Sequence, residues 1–256
     1  ALSGAFLVLF GFPFVLTLMM SFKSQAEYMS GNYWNVPRAV FLGNYVKVLL
    51  SDFNRYFLNS LIVSSASVLF TIIIASLASY AFAKLRFRGR RALLVFVIAT
   101  MAVPTQLGVV PLFIVMSKLE WTGKLVAVIV PGMVTAFGVF WMTQYLEEAL
   151  PFELIEAARV DGCSMIRTFW NVALPAARPA AAMLALFTFV GSWTNFFWPF
   201  IVLGGANPTL PVALQLLQAS YFKDYSLIMA GVVAATVPLV VVFIVAGRQL
   251  VSGIMQ

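Results

Sequence analysis

The sequence predicts an all-α, polytopic membrane protein with six transmembrane helices, and two observations carry that reading. Apolar residues make up 62% of the chain and charged residues only 10%, against roughly 45–50% and 25% in soluble globular domains. The charges are also segregated. Every Lys, Arg, Asp and Glu falls outside six windows, at about residues 1–22, 56–83, 92–117, 125–146, 179–203 and 225–247. Each window supplies the roughly 20 apolar residues needed to cross about 30 Å of hydrocarbon. Helices are expected in them, because a spanning segment must satisfy its own backbone hydrogen bonds and the windows are too uniformly apolar for barrel strands. The 256 residues therefore read as a single transmembrane domain.

The first window lacks the basic leader and small-residue cleavage site of a signal peptide, so it reads as a span. It opens at Ala1 inside an apolar run, and a short polar tail is expected ahead of it. The second carries Asn59, Ser60, Ser64, Ser65, Ser67, Thr71, Ser76 and Ser79. Small hydroxyl residues suit close helix packing in a membrane. The third contains Pro104 and Pro111 around Thr105 and Gln106, and the fourth contains Pro131, Gly132, Thr135 and Gly138. Prolines of this kind loosen helix geometry where gates can form. The fifth brings together Thr188, Ser192, Trp193, Thr194 and Asn195. Polar residues are thus present in the spans, but ionisable ones are not.

Orientation follows from the basic residues. Lys84, Arg86, Arg88, Arg90 and Arg91 crowd one short connection, whereas Lys23, Arg38, Lys47 and Arg55 are spread along the first. The dense connection, residues 84–91, is expected in the cytoplasm. Six spans then put residues 147–178 and the tail at Arg248 on the same side. The net charge of +7 is read as topology and attraction to anionic membrane lipid, and nucleic acid is not an expected partner. The chain has no His and the single Cys163. That excludes a zinc site of the usual kind and a Ser-His-Asp triad within it.

The fourth connection is the most informative stretch. Glu147 to Pro175 reads as two short helices beside the membrane. Pro151 suits a first helical turn, Glu153 and Glu156 suit the positive end of the helix that follows, and Gly162 suits the turn after it. Ile166, Phe169, Trp170, Val172 and Leu174 then recur near helical spacing until Pro175 and Pro179 end the second helix.

Glu156-Ala157-Ala158, three residues, Gly162, nine residues, then Val172-Ala173-Leu174-Pro175 resembles the EAA loop of the permease subunits of bacterial ABC importers. The one departure is Val172 in place of Ile. The stretches Ser79 to Arg90, Met101 to Leu112, Trp193 to Pro199 and Asn207 to Pro211 are similar to the carbohydrate branch of that family, and in particular to its maltose-type, six-span second permease. Where the family often has Asn followed by Glu, Asn195 is followed by Phe196.

The resemblance implies a cytoplasmic coupling helix-turn-helix between spans four and five that docks on an ATPase subunit. Its expected residues are Glu156, Ala157, Ala158, Asp161, Gly162, Leu174 and Pro175. Implied partners are a second homologous permease, two cytoplasmic ATPase subunits and an extracytoplasmic solute-binding protein, in a prokaryotic inner membrane. The chain has no phosphate-binding loop of its own. No cofactor is expected in it, and ATP with Mg would sit on the ATPase, so the chain reads as a non-catalytic subunit. Spans without charge favour a neutral carbohydrate, with Trp193, Asn195, Ser192, Thr194 and Gln106 as candidates along its path. A polyol or glycerol phosphate permease remains open. So does a secondary transporter, which would show internal repeats and ionisable groups at broken helices.

Overall fold

The computed structural model describes residues 2–31, 33–219 and 224–254, and among them every regular element is helical. Helix α1 (Leu2–Ser21) is followed by a short α2 (Gln25–Met29) and by α3 (Gly43–Leu50). The chain is tied where α1 ends. The buried Asn44 amide donates to the carbonyls of Ser21 and Lys23 at 2.9 and 2.8 Å, supplying donors that a helix C-terminus lacks.

Helix α4 (Phe53–Lys84) spans 32 residues, about 48 Å at 1.5 Å per residue. It is the axis of the molecule. Helix α5 (Arg90–Thr100) and α6 (Val109–Lys118) flank a single 3₁₀ turn, Thr105–Gly108, and the pair is bent by 91°. The continuous helix expected over 92–117 is therefore broken. Pro104 lacks an N–H and forces Val103 away from helical dihedrals, which is sufficient reason. Pro111 falls in the first turn of α6, where its missing donor costs nothing.

Helices α7 (Val126–Gly132) and α8 (Ala136–Ala149) meet at a short break. Thr135 restarts the helix by accepting from Gly138 N at 3.1 Å, an ordinary N-cap. Upstream of the break, Pro131 cannot donate to the carbonyl of Ala127 four residues back. The indole of Trp198 does so instead, at 2.9 Å, and Ala127 is fully buried. Trp198→Phe keeps an aromatic group, though a smaller one, and orphans that carbonyl, so the lost hydrogen bond alone should cost about 1–3 kcal/mol. The readout is a lower thermal midpoint of the detergent-solubilised protein; an unchanged midpoint would refute the assignment.

Next come α9 (Phe152–Val160), α10 (Met165–Thr168), a π turn (Phe169–Ala173) and α11 (Leu174–Ala176), then α12 (Arg178–Trp193), bent by 77° from the preceding segment. The apolar window 179–203 is also divided, because α12 ends at Trp193 and α13 (Phe197–Leu203) begins after three residues. Pro199 lies in the first turn of α13, the place where proline is tolerated. Helices α14 (Leu210–Ala219) and α15 (Tyr225–Ile254) complete the chain.

Among the described residues, Phe53–Lys84, Val126–Ala149 and Tyr225–Val245 are long and apolar enough to cross a membrane, and the two bent pairs raise the total to five if each is one span. Leu9–Ser21 of α1 is a shorter apolar helix. Helix α4 packs against α8 and α12, and α1 against α15. The hydroxyls of α4 face inward: Ser60, Ser64, Ser67, Thr71, Ser76 and Ser79 are buried, while Ser65 is exposed. Several bind backbone. Ser79 donates to the carbonyl of Val139 at 2.9 Å, and Thr71 reaches those of Gly132 and Met133, each at 3.3 Å, at the α7–α8 break. Packing is thus their main role, and they also supply donors where a neighbouring helix is interrupted.

Candidate functional site

Two regions have the chemistry expected of a site. The first is the hairpin formed by α9, α10 and the π turn. Helix α9 ends in a Schellman arrangement, in which Cys163 N donates to Ala158 O at 2.9 Å and Gly162 N to Arg159 O at 3.0 Å. Gly162 has φ +78° with open space around its Cα, so backbone conformation alone requires glycine here. Two residues later, Ser164 caps α10 by accepting from Arg167 N at 3.3 Å. Two caps enclosing one left-handed residue make a stiff corner.

The hairpin has distinct inner and outer faces. Inward, Ile155, Ala158, Phe169, Ala173 and Ala177 are buried, and all of these except Ala158 share a core with Tyr80, Met142, Leu146 and Leu150. The rings of Phe169 and Tyr80 lie 5.9 Å apart. Outward, Glu153, Glu156, Ala157, Arg159, Asp161 and Gly162 are exposed, together with apolar Val160 at 88% and Ile166 at 70%. Large apolar side chains rimmed by charge are a common feature of contact surfaces. Of the residues singled out in this stretch, Glu156, Ala157, Asp161 and Gly162 lie on the exposed face. Ala158 packs inward, and Leu174 and Pro175 are part-buried at the start of the next helix. The π turn directly precedes Leu174-Pro175. A proline cannot donate to its i−4 carbonyl, and wider winding accommodates that loss.

The second region is a cavity of about 290 Å³ lined by residues of α4, α7, the α7–α8 break, α8, and α12 with the residues at its end. Its polar groups are Ser67, Thr135, Thr188, Ser192 and Asn195, and its rings are Phe137 and Phe187. No lining residue carries a charge. Leu184, Phe187, Thr188, Gly191, Ser192 and Asn195 recur at the i, i+3, i+4 spacing of a single helix face, so one face of α12 and its end supply more than half of the wall.

The candidates along the path divide accordingly. Ser192 and Asn195 line the cavity. Trp193, another of those candidates, does not line the cavity: it is 3% exposed, its indole donates to Ala235 O at 3.0 Å, and its ring stacks on Phe189 at 5.5 Å. A donor in an apolar span needs a partner, and α15 provides it. Thr194 is exposed and bonds its own helix at Val190 O, and Gln106 is exposed in the 3₁₀ turn, its Oε1 3.5 Å from the hydroxyl of Thr105. Neither lines the cavity. Phe137 and Phe187 were not among the candidates, although the steps of four from Ser192 back to Thr188 and Leu184 mark a helix face on which Phe187, three residues beyond Leu184, also falls.

Relatives and solved structures agree with this architecture. The family described as "Binding-protein-dependent transport system inner membrane component" matches residues 68–250. The chain is 32% identical over 95% of its length to the arabinooligosaccharides transport system permease protein of Halalkalibacterium halodurans, covering 88% of that protein. It is 31% identical over 94% of its length to the probable starch degradation products transport system permease protein of Thermoanaerobacterium thermosulfurigenes, covering 89% of it. A crystal structure of a bacterial ABC transporter involved in import of the acidic polysaccharide alginate has the same fold, with a TM-score of 0.84, 24% identity, and coverage of 96% of this chain and 93% of that one. With nearly three quarters of its length matched and two such relatives, the chain belongs to the inner-membrane permease components of binding-protein-dependent ABC import systems.

Proposed function

We propose that this chain is the six-span, maltose-type permease subunit of an ATP-driven importer of a neutral carbohydrate, forming half of the translocation path beside a second homologous permease. Two ATPase subunits that bind ATP and Mg would dock on the hairpin of residues 147–178, on the cytoplasmic side with residues 84–91. A solute-binding protein would deliver cargo to the opposite face. The observation that carries the reading is the stiff, outward-facing corner at Gly162, with Glu156 and the apolar Val160 and Ile166 on its exposed side. Closure of two ATPases would push on such corners, and a rigid bundle would turn that push into alternating access.

The cavity supports the neutral cargo. An anionic substrate, glycerol phosphate included, asks for a cation or a cluster of aligned N–H donors, and the lining offers hydroxyls, an amide and two rings. Hydroxyls of a sugar can pair with Ser192 and Asn195, and Phe137 and Phe187 provide apolar faces. The named relatives transport arabinooligosaccharides and starch degradation products, which fits the same class. The secondary-transporter reading lacks its intramembrane ionisable groups.

The test is reconstitution with the cognate ATPase and binding protein. The ATPase should co-purify with this chain, and ATP should drive uptake of a labelled neutral oligosaccharide that the binding protein retains. Absence of co-purification, or uptake that is independent of ATP, would overturn the proposal.

A further inference from the structure

The basic connection between α4 and α5 grips the junction of α8 and α9. Lys84, the last residue of α4 and only 6% exposed, donates from Nζ to the carbonyl of Glu147 at 3.2 Å. Arg90 lies 3.5 Å from the carboxylate of the same Glu147 and also reaches the carbonyl of Leu85 at 3.4 Å. The guanidinium of Arg86 lies over the ring of Phe152, 5.4 Å from its centroid. Glu147 is in the last turn of α8, where a cation suits the exposed carbonyls, and Phe152 opens α9. Only Leu150 and Pro151 join the two helices, so the three cations brace an otherwise narrow joint.

Composition gives these cations one role, the orientation of the chain in the membrane. Their contacts give them another. We infer that Lys84 and Arg86 are positioning residues that fix the angle at which α9 leaves α8, so that a displacement of α9 passes directly into α4. Helix α4 carries Ser67 at the cavity wall and Thr71 at the α7–α8 break. The clasp therefore connects the hairpin to the cavity through one continuous helix, in parallel with the route through α12. The inference rests on the coupling role proposed for α9.

The measurement is the number of substrate molecules imported per ATP hydrolysed by the reconstituted complex. In Lys84→Gln and Arg86→Gln the ATPase should still co-purify, while the ratio falls by about tenfold, as expected of residues that carry coupling between sites. Arg86→Lys should fall between, because it keeps the charge but loses the planar group that stacks on Phe152. Should Lys84→Gln fail to accumulate in the membrane, Arg86→Gln, which alters an exposed side chain, decides the matter. A wild-type ratio in Arg86→Gln overturns the inference. Failure of the unaltered chain to retain an ATPase would overturn the coupling role itself, a result distinct from a clasp that proves idle.

Discussion

Phe169→Ala is expected to destabilise the protein by about 3–5 kcal/mol, the range for removing a fully buried aromatic ring. Phe169 is 1% exposed, sits at the start of the π turn and packs on Tyr80 and Trp170. Its loss opens a void beneath the hairpin, which remains covalently attached but no longer seated on α4. Two readouts should move together: the thermal midpoint of the solubilised protein drops, and proteolysis between α9 and α12 accelerates. A loss of stability with unchanged cleavage in the hairpin would show that Phe169 supports the bundle but does not seat the loop. Trp170→Ala is the internal comparison, because Trp170 is half exposed at 49% and should cost much less.

Glu156→Ala is expected to leave the fold intact and to weaken the grip on the ATPase. Its side chain is exposed on the hairpin, away from the buried face of Ile155 and Ala158, so no core contact is lost. Removing one partner of a charged pair at an interface costs about 2–5 kcal/mol, at least a tenfold weakening of binding. Retention of the ATPase across a salt and detergent series measures it, with uptake in vesicles as the functional counterpart. Retention and uptake both equal to wild type would remove Glu156 from the docking surface.

The parts of this molecule that were legible in the sequence are those governed by local rules. Gly162 was readable as a turn because a left-handed residue after a helix is nearly always glycine, and the structure has it at φ +78°. Charge-free windows located the long helices for the same reason, since burial in lipid acts on each stretch separately. The breaks were half legible. Pro104 and Pro131 announced them, but the sequence did not say that the carbonyl left by Pro131 would be claimed by Trp198, some seventy positions on. The burial of Trp193 was not legible at all. An aromatic residue beside an amide has the composition of a sugar site, yet the indole N–H needed a partner, and only the packing of α12 on α15 decides that it is Ala235. Of the tryptophan and its neighbours, it was helical spacing that separated Ser192 and Asn195, which share the cavity face, from Trp193 and Thr194, which do not.

The π turn at Phe169–Ala173 sets the rotational phase between the hairpin and the membrane. A residue inserted into an uninterrupted α-helix turns everything beyond it by about 100°, whereas a single π turn takes up such a residue within its own wider winding. Deleting a single residue there would let the segment wind normally and would still leave every helix formed. The hairpin would then keep its direction relative to α12, whereas a deletion in the regular winding on either side would turn it aside like a key inserted out of register. Sequence length between the glycine corner and Pro175 therefore has slack at one place, the π turn, and none along the regular winding around it.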